Sequence, residues 1–244
     1  MKTLFFSHSR TALKYGIKAL QIKEGDSILI PDYICDVILH PLKQLKLLPQ
    51  YYPLFDDLSP DWKILEEMVT NRTKAVLMVH YFGQPQRIHE FQEFCKKHAL
   101  YLIEDNSHGF CGEHEGKLLG TFGDIGITSP RKTLDLPSGG ILHISHSKSQ
   151  LIDDNIEILD TFKINYLKEA IKRKLKNFDL LKKFTRKHII SRPIYWEPSS
   201  LKEKPVHDLK IDSFSKNFIA NINESKIRSE HQKIYHDWFR FAQT

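Results

Sequence analysis

Apolar residues recur in two rhythms over the first 150 positions. Short continuous runs at 27–30, 47–52, 75–79, 101–104, 125–128 and 140–144 read as strands buried on both faces. Between them lie stretches with helical spacing. In 12–21, Leu13, Ile17 and Leu20 share one face, with Ser9 as the expected N-cap. Further helices are expected at 35–45, 61–69 and 87–98. Pro31 ends the second run, the polar 23–26 and 71–73 segments read as a turn and a loop, and 80–85 forms another turn. The glycine-rich 112–120 segment reads as a short hairpin or loop without metal-ligand spacing, and no internal repeat is visible. Strands alternating with helices predict an α/β protein. The expected fold is three layers, a mostly parallel sheet with helices on both faces.

The rhythm changes after residue 150. A long helical stretch, 162–189, carries ten Lys and Arg residues beside an apolar stripe of Leu167, Ile171, Leu175, Phe178 and Leu181. A proline-bearing loop follows at 191–212, and 213–241 reads as one helix or two. Charge marks the same boundary. Residues 1–150 hold 17 basic and 17 acidic side chains, so the whole excess, 36 − 17 = 19 against 30 − 17 = 13, falls in 151–244. The expected division is a large domain over 1–150 and a helical basic extension over 151–244.

Composition narrows the class further. A chain of 244 residues can bury one large core or two small ones. Cys35, Cys95 and Cys111 form no CxxC pair and no zinc set, which fits reduced thiols in the cytoplasm. No apolar run approaches a membrane span, so no integral membrane segment is expected. The basic 162–189 helix is most simply a solvated face. Attraction to a diphosphate-bearing substrate or an anionic surface is the sharper alternative. Nucleic acid is not expected, because no aromatic-basic platform or known motif accompanies the charge.

The candidate chemistry lies between residues 101 and 140. The run at 101–104 delivers Asp105, and the run at 125–128 delivers Ser129 and Lys132. Carboxyl ends of strands in an open α/β sheet face a common crevice. Pyridoxal 5'-phosphate (PLP) chemistry needs such a pair, an amine for the Schiff base and a carboxylate that keeps the pyridine nitrogen protonated. On spacing alone the commoner alternative is a loop-capping Asp105 and a surface Lys132. The first helix also begins with Arg10 and Thr11, a place where backbone N–H groups can hold a phosphate, although an ordinary capped helix is the commoner case. The paired Gly139 and Gly140 allow close backbone approach or simply a turn.

Several short motifs occur together in order: Ser-Arg-Thr-Ala-Leu from Ser9, Gly-Asp-x-x-x-x-Pro from Gly25, and His-x-x-Gly-Gln-Pro from His80. Ile-Glu-Asp from Ile103, Thr-Phe-Gly-Asp-Ile-Gly from Thr121, Ser-x-Arg-Lys from Ser129 and Gly139-Gly140 follow. This series resembles the DegT/DnrJ-type aminotransferases, PLP enzymes of the aspartate-aminotransferase fold that aminate nucleotide-linked keto-sugars. The resemblance runs from about Ser7 to Leu142. It implies that Lys132 is the Schiff-base lysine and that Asp105 partners the pyridine nitrogen. Lys132 must attack as a neutral amine, so nearby positive charge and partial burial are expected around it. His108 takes the place of a glutamine that contacts the cofactor. Ser129, Arg10 and Thr11 take the places of phosphate-binding residues. Cys35 sits where an aromatic ring often stacks on the cofactor, and Tyr33 is the candidate substitute. A nucleotide-sugar substrate, glutamate as amino donor and a homodimer are implied in the same way.

The chain departs from that pattern in places. The loop from Ser129 to Lys132 is two residues shorter than in most of the family, and Ser9 replaces a common glycine. The C-terminal domain that closes over substrate is expected to be absent or truncated, and a segment before Ser7 to be missing. Two readings follow. One is an aminotransferase passing the amino group of glutamate to a keto-sugar nucleotide. The other is an impaired relative acting as a PLP-binding module or as an interaction module on protein or membrane surfaces.

Overall fold

Seven strands form one sheet in the order β1-β9-β8-β5-β4-β2-β3. They are β1 (Lys2–Phe6), β2 (Ser27–Pro31), β3 (Leu48–Tyr52), β4 (Thr73–Val79), β5 (Tyr101–Asn106), β8 (Ile125–Thr128) and β9 (Gly140–Ile144). The computed structural model describes residues 1–134, 136–152 and 210–242, the side chains of 238, 239 and 242 excepted. The basic 162–189 stretch and most of the 191–212 loop lie outside the described residues.

The three pairings from β2 to β5 and the β5–β8 pairing are parallel, whereas β9 is antiparallel to both its neighbours, β8 and β1. Six strands therefore run one way and β9 alone runs back. The β1 strand is an addition to the sequence expectation. Its register against β9, from Lys2 opposite Ile144 to Phe6 opposite Gly140, makes it the sheet edge. An edge strand buries less, so Lys2 and Thr3 stay exposed and the apolar run shortens to Leu4–Phe6.

Strand alternation explains the continuous apolar runs. Ala75, Leu77 and Val79 enter one core with Ile28, Ile30, Ile103 and Ile127. Val76 and Met78 enter a second core with Leu29, Tyr52 and Leu102. Helix α1 (Ser9–Ala19) covers the first face through Ala12, Leu13 and Ile17. Helices α3 (Trp62–Glu67) and α4 (Ile88–His98) cover the second through Leu65, Ile88, Phe91 and Phe94. The Asp61 carboxylate caps α3 by accepting from the Lys63 and Ile64 backbone N–H groups.

Two helix starts differ from expectation. His8, not Ser9, is the N-cap of α1, and Ser9 is its first residue. The cause is β9. The Gly139 N–H donates to the Ser7 carbonyl at 2.8 Å, and a Cβ at Gly140 would lie 2.1 Å from the His8 carbonyl carbon. The chain stays extended through His8, and the His8 carbonyl then accepts from Thr11 and Ala12. The expected 35–45 helix is instead a 3-10 turn, Asp36–Ile38, followed by α2 (Leu39–Gln44). Pro41 falls in the first turn of α2, where its missing N–H costs no hydrogen bond.

The 112–120 segment is a hairpin of β6 (Glu113–His114) and β7 (Lys117–Leu118). Helix α5 (Pro130–Thr133) leaves β8, and α6 (His146–Ser149) leaves β9. The 213–241 stretch resolves into two helices, α7 (Ser213–Ala220) and α8 (Glu224–Ala242). Ile211 and Ile219 share a third apolar core with Phe110, Leu136 and Ile141. Asp212 caps α7 at the Ser215 N–H and also accepts from the Ser138 hydroxyl.

Candidate active site

Because six strands run the same way, the carboxyl ends of β1, β2, β4, β5 and β8 lie along one sheet edge. The amino end of β9 joins them there. The segments that follow these ends carry His8 and Arg10, Tyr33 and Cys35, Tyr81, Asp105 and His108, and Lys132. All of them line one cavity of about 550 Å³.

Asp105 is the penultimate residue of β5, paired with Val79 of β4. Adjacent strand residues point to opposite faces, so Asp105 and Glu104 serve different layers. The Asp105 carboxylate is 6% exposed and accepts from the Ser107 backbone N–H at 2.9 Å. Its carbonyl accepts from the His80 N–H at 3.0 Å, which extends the β4–β5 ladder to the cavity wall.

Glu104 is wholly buried on the other face. It accepts from the Gly120, Phe122 and Gly123 backbone N–H groups at 2.6, 2.6 and 3.0 Å, and from His80 Nε2 at 2.8 Å. The Gln86 N–H donates to His80 Nδ1 at 3.0 Å, which places the ring proton on Nε2. Burial pushes the Glu104 carboxyl up, but the hydrogen bonds from His80 Nε2 and from the Gly120 and Gly123 N–H groups hold it below the ordinary range.

Arg10 lines the cavity, and its Nε is buried without a hydrogen-bond partner. Burial, then the charge of Arg131, lowers its pKa. His108 is also lowered, by burial and then by Lys132, against an opposing pull from Asp105. This mutual influence links Lys132, His108 and Asp105 around one space. Lys132 is exposed, so the partial burial expected around its amine is absent.

Two expected phosphate residues do not reach the cavity. Thr11 and Ser129 are fully buried, and neither is part of its lining. The Ser129 hydroxyl is buried without a partner. Tyr33 and Cys35 both line the cavity, with Tyr33 59% exposed. The Tyr81 hydroxyl donates to the Tyr33 carbonyl at 2.7 Å, with the two rings 5.7 Å apart. That bond fixes the Tyr33 segment against the end of β4.

Sequence reasoning passed over His8, Tyr81, Phe82 and Arg131 as lining residues. Their common signal is position just beyond a buried strand or beside a candidate residue. Phe82 has a left-handed backbone (φ 56°) and is 72% exposed. Its ring lies 14° from parallel to His108 at 6.3 Å.

The family model for DegT/DnrJ/EryC1/StrS aminotransferases matches residues 4–168. GDP-perosamine synthase of Escherichia coli O157:H7 is 31% identical over 142 residues, 56% of this chain and 38% of that protein. GDP-perosamine synthase of Vibrio cholerae is 30% identical over 139 residues, with the same coverage of 56% and 38%. The chain thus spans well under half the length of these relatives. Among solved structures, E coli GDP-4-keto-6-deoxy-D-mannose-3-dehydratase with bound hydrated PLP is 27% identical. It aligns with a TM-score of 0.54 over 59% of this chain and 39% of that one. With the motif series, the sheet order and the family match in agreement, the chain belongs to the DegT/DnrJ/EryC1/StrS aminotransferase family, whose cofactor is PLP.

Proposed function

We propose that the cavity at the carboxyl edge of the sheet is a PLP site. In this reading the chain carries the cofactor-binding part of an aminotransferase that moves an amino group from glutamate to a nucleotide-linked keto-sugar. The observation that carries the reading is that Asp105 and Lys132 line the same cavity. The substrate class rests on the relatives, which include GDP-perosamine synthases.

The residues present fit the cofactor on two counts. A cation with a partnerless buried nitrogen, Arg10, lines the cavity, and an anionic phosphate would satisfy it. Asp105 is a buried carboxylate with one backbone anchor, which leaves acceptor capacity for a protonated ring nitrogen. When bound, PLP supplies an electron sink for proton removal at the substrate carbon. Asp105 keeps the ring nitrogen protonated. The N-terminus of α1, which no side chain caps, and Arg10 hold the phosphate. His108, Tyr33 and Cys35 line the same cavity and would hold the ring, and the Lys132 amine would be the covalent anchor and proton carrier. A homodimer and a cytoplasmic setting belong to the same proposal. Among the described residues, no helix is long and apolar enough to cross a membrane, and Cys35, Cys95 and Cys111 are free.

The test is a PLP titration of the purified chain. We expect a saturable visible absorbance band. After borohydride treatment we expect a cofactor mass on the peptide containing Lys132. Lys132→Ala should lose both. A band retained in Lys132→Ala, or no band at all, would remove the assignment. Turnover with glutamate and a GDP-linked keto-sugar then tests the substrate class.

A further inference from the structure

On the face of the sheet opposite α1, outside the cavity that Asp105 lines, two elements bring three metal-ligating side chains together. His89 lies in the first turn of α4. His114 and Glu115 lie at the tip of the β6–β7 hairpin. Their ligand atoms all fall within 4.8 Å of one another. Glu115 already spans the two imidazoles, with Oε2 3.1 Å from His89 Nε2 and Oε1 3.8 Å from His114 Nε2.

The set is chemically specific. Two imidazoles and one carboxylate are the donors of a three-ligand zinc site, with further positions left to water. Calcium and magnesium favour oxygen donors and would leave the imidazoles unused. Ligands ~2.1 Å from one ion lie at most ~4.2 Å apart, so the 4.8 Å limit requires only a small closure. His89 and Glu115 are exposed and His114 is partly so, which leaves their rotamers free to make that adjustment.

The hairpin places its ligands by a defined turn. Glu115 and Gly116 both have positive φ, 50° and 74°, the conformation of a two-residue type I′ connection. Asparagine is the usual residue at the first of these positions, and here a glutamate occupies it. On the other side of His114, the Phe122 ring packs at 6.1 Å and itself carries Lys117 Nζ at 4.4 Å.

We propose that His89, His114 and Glu115 form a binding site for a divalent zinc-class cation that clamps the β6–β7 hairpin to α4. The hairpin leads into Gly120–Gly123, whose N–H groups converge on Glu104. A clamp there steadies the loop beneath β5 and does not depend on the PLP reading. The 112–120 segment shows no metal spacing by itself because the third ligand, His89, comes from another element.

Calorimetric titration of the full chain with zinc chloride tests the site, with circular dichroism to check that each variant is folded. We expect one saturable zinc per chain and a higher Tm with zinc. His89→Ala and His114→Ala should each lose that binding, and Glu115→Gln should weaken it about tenfold or more. Cobalt(II) should give a low-coordinate visible spectrum that His89→Ala abolishes. The absence of a saturable site overturns the proposal. So does zinc binding of unchanged stoichiometry and affinity in both folded histidine variants, which would place the ion on other histidines.

Discussion

His80, which itself lines the cavity, and Glu104, the neighbour of Asp105 in β5, meet at 2.8 Å with both side chains wholly buried. The pair is fully satisfied. Gln86 occupies the second imidazole nitrogen, and three backbone N–H groups complete the carboxylate. Glu104→Ala would orphan the His80 donor and all three N–H groups. Leaving a buried donor without its acceptor costs about 1–3 kcal/mol. Urea denaturation should show that loss, together with earlier hydrogen exchange at Gly120, Phe122 and Gly123.

The same carboxylate makes stability depend on acid. Its folded pKa is held below the ordinary value of 4.5, because its hydrogen bonds outweigh the upward push of burial. The unfolded chain therefore takes up the proton first. Stability present above about pH 4.5 should fall as pH drops through the lower folded value. A series of urea midpoints across that range should slope downward in the native protein and flatten in Glu104→Gln.

The apolar runs alone disclosed β2, β4, β5 and β8 nearly to their ends, because a strand buried on both faces needs continuous hydrophobicity; they also disclosed β3, although at the opposite sheet edge it leaves Leu48 and Tyr51 exposed. They also disclosed β9 beginning at Gly140. They did not disclose β1, where exposure at the edge leaves only Leu4, Phe5 and Phe6 as signal. Strand ends sharing one edge made Asp105 and Lys132 candidates, but the ordered motif series singled them out, and the structure brings both to one cavity. The Glu104 network was not, since Gly120, Phe122 and Gly123 reach it through backbone N–H groups that any sequence would carry. The Ser129 and Thr11 side chains show the converse limit. Motif position singled them out, but both are fully buried and neither is part of the cavity lining.

Gly140 holds the start of α1 in place. A Cβ there would fall 2.1 Å from the His8 carbonyl carbon and 2.4 Å from the Ser9 nitrogen, all rigid backbone. Gly140→Ala should therefore cost about 1–3 kcal/mol or more and push the His8–Arg10 segment off β9. PLP affinity should fall with it, whereas Gly25→Ala, strained by its φ of 85° in a turn that is no part of the cavity lining, should cost stability but leave PLP affinity unchanged.

Arg10 should contribute most of the phosphate attraction. Its Nε is buried and partnerless, and a hydrogen bond to a charged group is worth about 1.5–3 kcal/mol. Arg10→Ala should weaken PLP binding about 10- to 100-fold. Arg10→Lys should restore only part of it, because an ammonium lacks the planar fork. Pyridoxal without phosphate should bind both variants and the native chain alike.

His108 reports on the charges that face it. Burial, and then the Lys132 ammonium, depress its pKa below 6.5, while the Asp105 carboxylate opposes them. Proton NMR of the imidazole should find a midpoint below the ordinary value. Lys132→Ala should move it up, since a repelling charge is lost. Asp105→Asn should move it down, since an attracting one is lost. The sign also fixes a stability change. The unfolded imidazole binds its proton first, so His108 adds stability above about pH 6.5 that declines as pH falls through the lower folded midpoint. A midpoint indifferent to Lys132→Ala would mean that the amine does not face the imidazole across the cavity, and the shared site would lose its electrostatic support.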